Sequence, residues 1–404
     1  MRSRRASWTV LGLTAIAVAL ATLSVATAQV GVPKGKGGAG KAAKGKVKRR
    51  EPAKKGMPIA ADPLENDAAE GLDKAAAGMV HYRLKIKAND GTSLNLVYYP
   101  AYPARLGTNA PVIMMVHEKE RSSRDFEEPI AELKGQGFAE HMQSLGYAVL
   151  AVDLRGHGAN ARKPLSSQDW KLMVDDLQAA YQFLVDRHNR GKLNLAKLGV
   201  LGIGEGANLV AAWANMPGGA VSSEGRTSDL GAMVLISPMA DGEGFLLRQV
   251  MSALAPRIPQ LLLVGERDAI SADPVRAVRP IVERPAAGLK LNRVELFDTS
   301  LHGYKLLWLE PKLTSSIPKF LEGTIKLKAT ATWEPRYNLT PVPYDSIQLV
   351  RSAKGKEAAE KEKEPKAEEK AKGEEEKAKK GEPAEAKPKE QDAAEGAPAP
   401  KKKS

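Results

Sequence analysis

Six short apolar runs alternate with longer helix-like stretches along the middle of this chain: VIMMVH (112–117), YAVLAVDL (147–154), LGVLGI (198–203), AMVLIS (232–237), PQLLLVG (259–265) and RVELFD (293–298). Continuous apolar runs of this length need cover on both faces, as strands of a parallel sheet between two helix layers have. The clearest helix spans 167–186, where Trp170, Met173, Val174, Leu177, Tyr181 and Leu184 fall on one stripe at helical spacing and read as core. Ahead of these, HYRLKIKA and LNLVYYP flank Asn89-Asp90-Gly91 and predict an antiparallel hairpin. The expected fold class is α/β, a mostly parallel sheet with an N-terminal antiparallel hairpin and helices on both faces. Between Ser237 and Leu263 there is room for one short helix and no large lid, so the site is expected to be open.

The ends differ from this middle. Arg2, Arg4 and Arg5, an apolar run from Trp8 to Leu23 and Ala26-Thr27-Ala28 read as a signal peptide over 1–28, an uncleaved anchor being the alternative. Residues 1–56 hold 13 Lys or Arg against the single acid Glu51, and 351–404 hold 16 against 14. The formal charge of +13 therefore belongs to the ends, and 57–350 is near neutral. That placement argues against specific nucleic-acid binding by the folded part. It suits a flexible basic arm that meets an anionic envelope polymer or membrane surface through 29–56. The expected layout is a signal peptide (1–28), a basic disordered linker (29–78), the α/β domain (79–326), a short extension (327–353) and a Lys/Glu/Ala-rich disordered tail (354–404). The location is expected to be exported, periplasmic or secreted. The absence of cysteine excludes a thiol nucleophile and a thiolate metal site; no metal and no cofactor are expected.

In an open α/β sheet, functional residues gather at the carboxyl ends of the strands. Those ends carry His117-Glu118-Lys119-Glu120-Arg121, Asp153-Leu154-Arg155-Gly156-His157-Gly158, Gly265-Glu266-Arg267-Asp268 and His302-Gly303, with Gly202-Ile203-Gly204-Glu205-Gly206 between a strand and a helix. In order and context the chain resembles the α/β-hydrolase superfamily over almost all of 79–326. DLRGHG is a frequent landmark there, GERD looks like the turn bearing the acid, and LHGY like the loop bearing the histidine. His117-Glu118 and the missing lid are most similar to the dienelactone-hydrolase-like, serine hydrolase branch.

The resemblance implies that Asp268 orients His302, that His302 is the base, and that the backbone amides of Glu118 or Lys119 and of Glu205 form an oxyanion hole. The nucleophile position of the small-x-nucleophile-x-small turn is Gly204, which keeps the tight turn and lacks a hydroxyl. A similar glycine occurs at this turn in the N-myc downstream-regulated family, regarded as non-enzymatic; that likeness covers the elbow alone. Ser122, Ser123, Ser237 and Ser300 lie near strand ends, none on a strand-to-helix turn. Asp153, Arg155 and His157 read as loop stabilisers, His117 and Glu118 also as pocket lining, and His81, His141 and His188 as structural or solvated.

Two functions follow. One is an exported, non-hydrolytic protein that binds a small-molecule ligand in its cleft or a partner on its surface. The other is an active hydrolase of small carboxylic esters, lactones or peptide bonds that uses water or another nucleophile, Glu205 included.

Overall fold

The computed structural model describes residues 61–64, 79–161, 165–216, 229–284, 291–328, 331–336 and 342–351. The expected signal segment, the basic stretch 31–56 and the tail from Lys354 lie outside the described residues. The hairpin forms as its turn chemistry requires: β1 (Val80–Lys87) and β2 (Ser93–Tyr99) are antiparallel, with Lys87 opposite Ser93. Asp90 accepts the Thr92 amide at 2.9 Å inside the turn.

The chain then alternates. β3 (Val112–Val116) is followed by α1 (Phe138–Ser144), β4 (Ala148–Asp153), α2 (Ser167–Asn189), β5 (Leu198–Ile203), α3 (Glu205–Ala214) and β6 (Leu230–Ile236). A two-residue pair, β7 (Asp241–Gly242) and β8 (Phe245–Leu246), leads into α4 (Leu247–Leu254). β9 (Gln260–Gly265), α5 (Ala272–Val282), β10 (Arg293–Phe297), α6 (Gly303–Leu309) and α7 (Leu313–Leu321) complete the alternation, and β11 (Tyr344–Arg351) closes the sheet. The nine-stranded sheet runs β10-β9-β6-β5-β3-β4-β2-β1-β11.

Successive strand residues feed two separate cores. Val112, Met114 and Val116 join the layer of α2, α3, α4 and α5, while Ile113 and Met115 join that of α1, α6 and α7. β3, β4, β5, β6 and β9 are buried at every position, which is why their sequences read as continuous apolar runs. The expected stripe on α2 is core, with Tyr181 at its edge donating its hydroxyl to Asp229. The helix begins at a reciprocal cap: Ser166 Oγ accepts the Asp169 amide and Asp169 accepts the Ser166 amide, an arrangement worth about 1 kcal/mol.

The sheet extends beyond the hairpin. Residues 344–351, read from sequence as part of an extension, form β11 antiparallel to β1, with Ile347 opposite Leu84 and Leu349 opposite Tyr82. Leu64, from the stretch read as linker, is buried against the same core, and Asp62 accepts from Arg187 at 2.7 Å.

Two strand ends set up the site. The order of the sheet reverses at β3, because β4 lies on one side of it and β5 on the other. The register pairs Val116 with Gly202, so Glu118 and Gly204, each two residues further on, flank the crevice at the switch point.

Candidate functional site

Gly204 stands alone between β5 and α3 with φ 56° and ψ −126°, the left-handed turn that the elbow reading requires. The flanking glycines fit the small positions of the motif. A β-carbon on Gly202 would stand 2.5 Å from the Gly206 oxygen, and one on Gly206 would stand 2.2 Å from the His117 oxygen. Neither position admits a larger residue without moving backbone.

Asp268 and His302 meet. Asp268 Oδ1 accepts the amides of Ile270 (2.9 Å) and Ser271 (3.2 Å), which leaves Oδ2 for His302 Nδ1 at 2.8 Å. Burial alone would raise the Asp268 carboxyl; the hydrogen bonds from His302 and the two amides outweigh it and hold the group below the usual carboxylate range. Nδ1 of His302 therefore carries a proton and donates it to Asp268. The loop holding the ring is pinned from below, because Gly303 donates its amide to Ser237 Oγ at 3.0 Å. Ser237 itself has φ 48° at the end of β6.

The other ring nitrogen faces a carboxylate. His302 Nε2 lies 3.6 Å from Glu118 Oε1, and Glu118 Oε2 accepts the Tyr304 amide at 3.1 Å. Burial opposes the charged imidazole, yet Asp268, Glu118 and Glu205 together raise His302 above its ordinary value. Burial, with Glu205 and Asp125 adding to it, raises Glu118 against the opposing effects of Tyr304 and His302. The two shifts differ in cause: the carboxylates of Asp268 and Glu118 favour the charged imidazole, whereas Glu118 is raised by its own burial.

Two of the expected oxyanion positions play other parts. The Lys119 amide donates to Glu205 Oε2 at 3.2 Å, so a side-chain carboxylate occupies the donor expected to receive a developing oxyanion. The Lys119 ammonium pairs with Glu243, on the turn between β7 and β8. Arg121 is held by Asp125 at 2.7 and 3.0 Å, and its guanidinium lies 3.6 Å above the Tyr304 ring. The short β7–β8 turn reaches across to the β3 loop through the Lys119–Glu243 pair, and the His302 side chain is 21% exposed.

The remaining sequence candidates are structural. His117 is fully buried; it accepts the Leu154 amide at Nε2 (3.1 Å), so Nδ1 donates to the Glu118 carbonyl (2.7 Å), tying the ends of β3 and β4 together. Burial pushes it down to about 4. Arg155 forms a buried fork with Asp176 and reaches Asp90 at 2.8 Å, and Asp153 accepts the Ser123 amide at 2.7 Å. Sequence reasoning missed Tyr304 and Glu243 as parts of the site, and weighed Ser237 only as a serine near a strand end. Glu243-Gly244, in the interval read as one short helix, was the available signal for a tight turn. Among the described residues no group of three or more His, Asp or Glu is arranged to hold a metal ion, and no helix is long and apolar enough to cross a membrane.

A family model described as serine aminopeptidase, S33, matches residues 112–295. No curated protein sequence matches the chain. Similar solved structures include an esterase from Pyrococcus furiosus, 18% identical with a TM-score of 0.44 over 61% of this chain and 93% of that one. A Pyrococcus horikoshii acylaminoacyl peptidase is 14% identical with a TM-score of 0.42, over 66% of this chain and 44% of that one. An alpha-beta serine hydrolase homologue from Coxiella burnetii is 14% identical with a TM-score of 0.40, over 60% of this chain and 96% of that one.

Proposed function

We propose that the chain is a non-hydrolytic member of the α/β-hydrolase superfamily that binds a ligand or partner at the carboxyl end of its sheet. The observation that carries this reading is the position of Glu118: its Cγ is 2.7 Å from where a β-carbon on Gly204 would stand. The nucleophile is absent, and its place is taken by a side chain from the facing strand. The Glu205 carboxylate on the Lys119 amide supports the same reading, since an oxyanion hole already holding a negative charge cannot stabilise another. A fluorophosphonate probe tests it: wild-type protein remains unlabelled, and stoichiometric labelling of any serine would overturn it.

One observation favours a second reading. The Asp268–His302 pair keeps the 2.8 Å geometry of a working base, so a water placed beside Nε2 would serve small esters, lactones or peptide bonds. That reading requires Glu118 to leave the ring, and the Glu118→Ala variant would then be the faster hydrolase.

Export and envelope association are part of the proposal. The segment 1–28 supports cleavage near Gln29, tested by the N-terminal sequence of the mature protein. The 13 basic residues of 1–56 support an anionic surface as partner. Retention on anionic vesicles should fall when residues 29–56 are removed; equal retention would count against it.

A further inference from the structure

A cleft of about 430 Å³ lies over the hairpin end of the sheet, and its lining shares no residue with the Gly204, Glu118 and His302 site. The volume is that of a small-molecule site.

The floor is one face of three adjacent strands. The register sets Lys85 between Asn95 and Ser346, and Arg83 between Val97 and Gln348. The alternate residues Leu84 and Leu96 turn the other way into the core. The wall is the loop after β3, with Ser122 and Arg124, and Asp153 at the end of β4. Of the apolar residues in the lining, Val97 and Ala159 are the two left to face a ligand, so an apolar body gains little there.

The charges are unbalanced. The carboxylates around this face are engaged: Glu127 pairs with Arg83, Asp345 with Lys87 and the Ser93 hydroxyl, and Asp153 accepts the Ser123 amide at 2.7 Å. Asp153 stands opposite Asn95, two strands from Lys85, a separation of about 10 Å. Lys85 and Arg124 both line the cleft, Lys85 half-buried and Arg124 exposed, and neither side chain has a hydrogen-bond or ion-pair partner among the described residues. Four cations, Arg83, Lys85, Lys87 and Arg124, thus stand against three carboxylates. A singly charged anion balances them, and a carboxylate matches the planar fork of Arg124.

We propose that this cleft binds a compact hydrophilic monoanion, a carboxylate on a hydroxylated body, with the carboxylate met by Lys85 and Arg124 and the hydroxyls by Ser122, Ser346 and Gln348. The assignment goes beyond the reading of the Gly204 site, and neither depends on the other.

The test uses full-length protein and three probes, D-glucuronate, D-glucose and benzoate, followed by amide NMR titration. Glucuronate is expected to bind saturably and to move the amides of Lys85 and of Ser122 to Arg124. Glucose, which lacks the charge, should bind about tenfold more weakly, and benzoate, which lacks the hydroxyls, about fivefold more weakly. Lys85→Gln with Arg124→Gln removes two side chains that hold nothing else in place, and should bring glucuronate down to the affinity of glucose. Equal affinity of wild-type protein for glucuronate and glucose, or no saturable binding of glucuronate, would overturn the assignment without reference to any variant. Benzoate binding as tightly as glucuronate would overturn the ligand class, and undiminished glucuronate binding by the double variant would overturn the place of the carboxylate. Ester turnover by the same sample would strike the non-hydrolytic reading and leave this assignment standing.

Discussion

The side chain of Glu118 fills the space that a residue larger than glycine would need at position 204, with Cγ 2.7 Å and Cδ 3.3 Å from the ideal β-carbon position. This relationship follows from the β3–β5 register, which brings the two strand ends out in step. It places a carboxylate beside both the Gly204 turn and the His302 ring.

The first prediction concerns reversal. Gly204→Ser alone should remain inert to fluorophosphonate and lose about 1–3 kcal/mol of stability, since φ is positive and Glu118 must be displaced. Gly204→Ser with Glu118→Ala should label, because the space and the base are then both available. Ester turnover should remain weak until Glu205→Ala also clears the Lys119 amide. Labelling of the single serine variant at the rate of the double one would contradict this.

The second concerns pH. The folded value of His302 is raised, so its contribution to stability is fully present below the unfolded value of about 6.5 and is lost as pH rises through the folded one. Asp268 is depressed, so its contribution is present above the usual carboxylate range and is lost as pH falls through its folded value. The interaction is strongest between those limits. Glu118→Gln should bring the His302 titration down towards the ordinary value in an NMR titration while leaving the Asp268 contact in place. An unchanged His302 titration would show that Glu118 does not hold the proton.

What the sequence made legible is what depends on local pattern. The continuous runs from Val112 to Phe297, the Asp90-Gly91 turn and the α2 stripe all carry their period in neighbouring residues, and the glycine frame places the elbow. β11 was missed because a register shift between Lys85 and Ile86 puts Tyr344 and Ile347 three residues apart on one face, breaking the period of two that marks a strand. The parts played by Glu118 and Glu205 were missed for another reason. Glu118 was placed at the site by its backbone amide and as pocket lining, and Glu205 by its amide and as an alternative nucleophile, whereas the contacts their carboxylates make with the Tyr304 and Lys119 amides depend on side-chain direction across two strands, which is not written in either strand.

A third prediction tests the missed strand. Ile347, packed on the core opposite Leu84, covers the outer edge of β1. Ile347→Asp should cost about 1–3 kcal/mol and accelerate amide exchange in β1 while sparing β5 and β6. Uniform acceleration would mean that the edge is not a separate unit.

The fourth concerns the buried fork beneath the site. Arg155 and Asp176 have 4% and 0% side-chain exposure. Arg155→Ala leaves Asp176 charged and unpaired, and should cost about 3–5 kcal/mol in a denaturant melt. A loss below about 1 kcal/mol, the level of an exposed pair, would contradict the role assigned to it.

A non-hydrolytic protein has no ester turnover at Gly204, and hydrolysis of p-nitrophenyl acetate and butyrate by pure protein measures that directly. Wild type and His302→Ala should release p-nitrophenol at the same background rate. Turnover by wild type that His302→Ala abolishes would show that the Asp268–His302 pair still works as a base, and the non-hydrolytic account would be wrong.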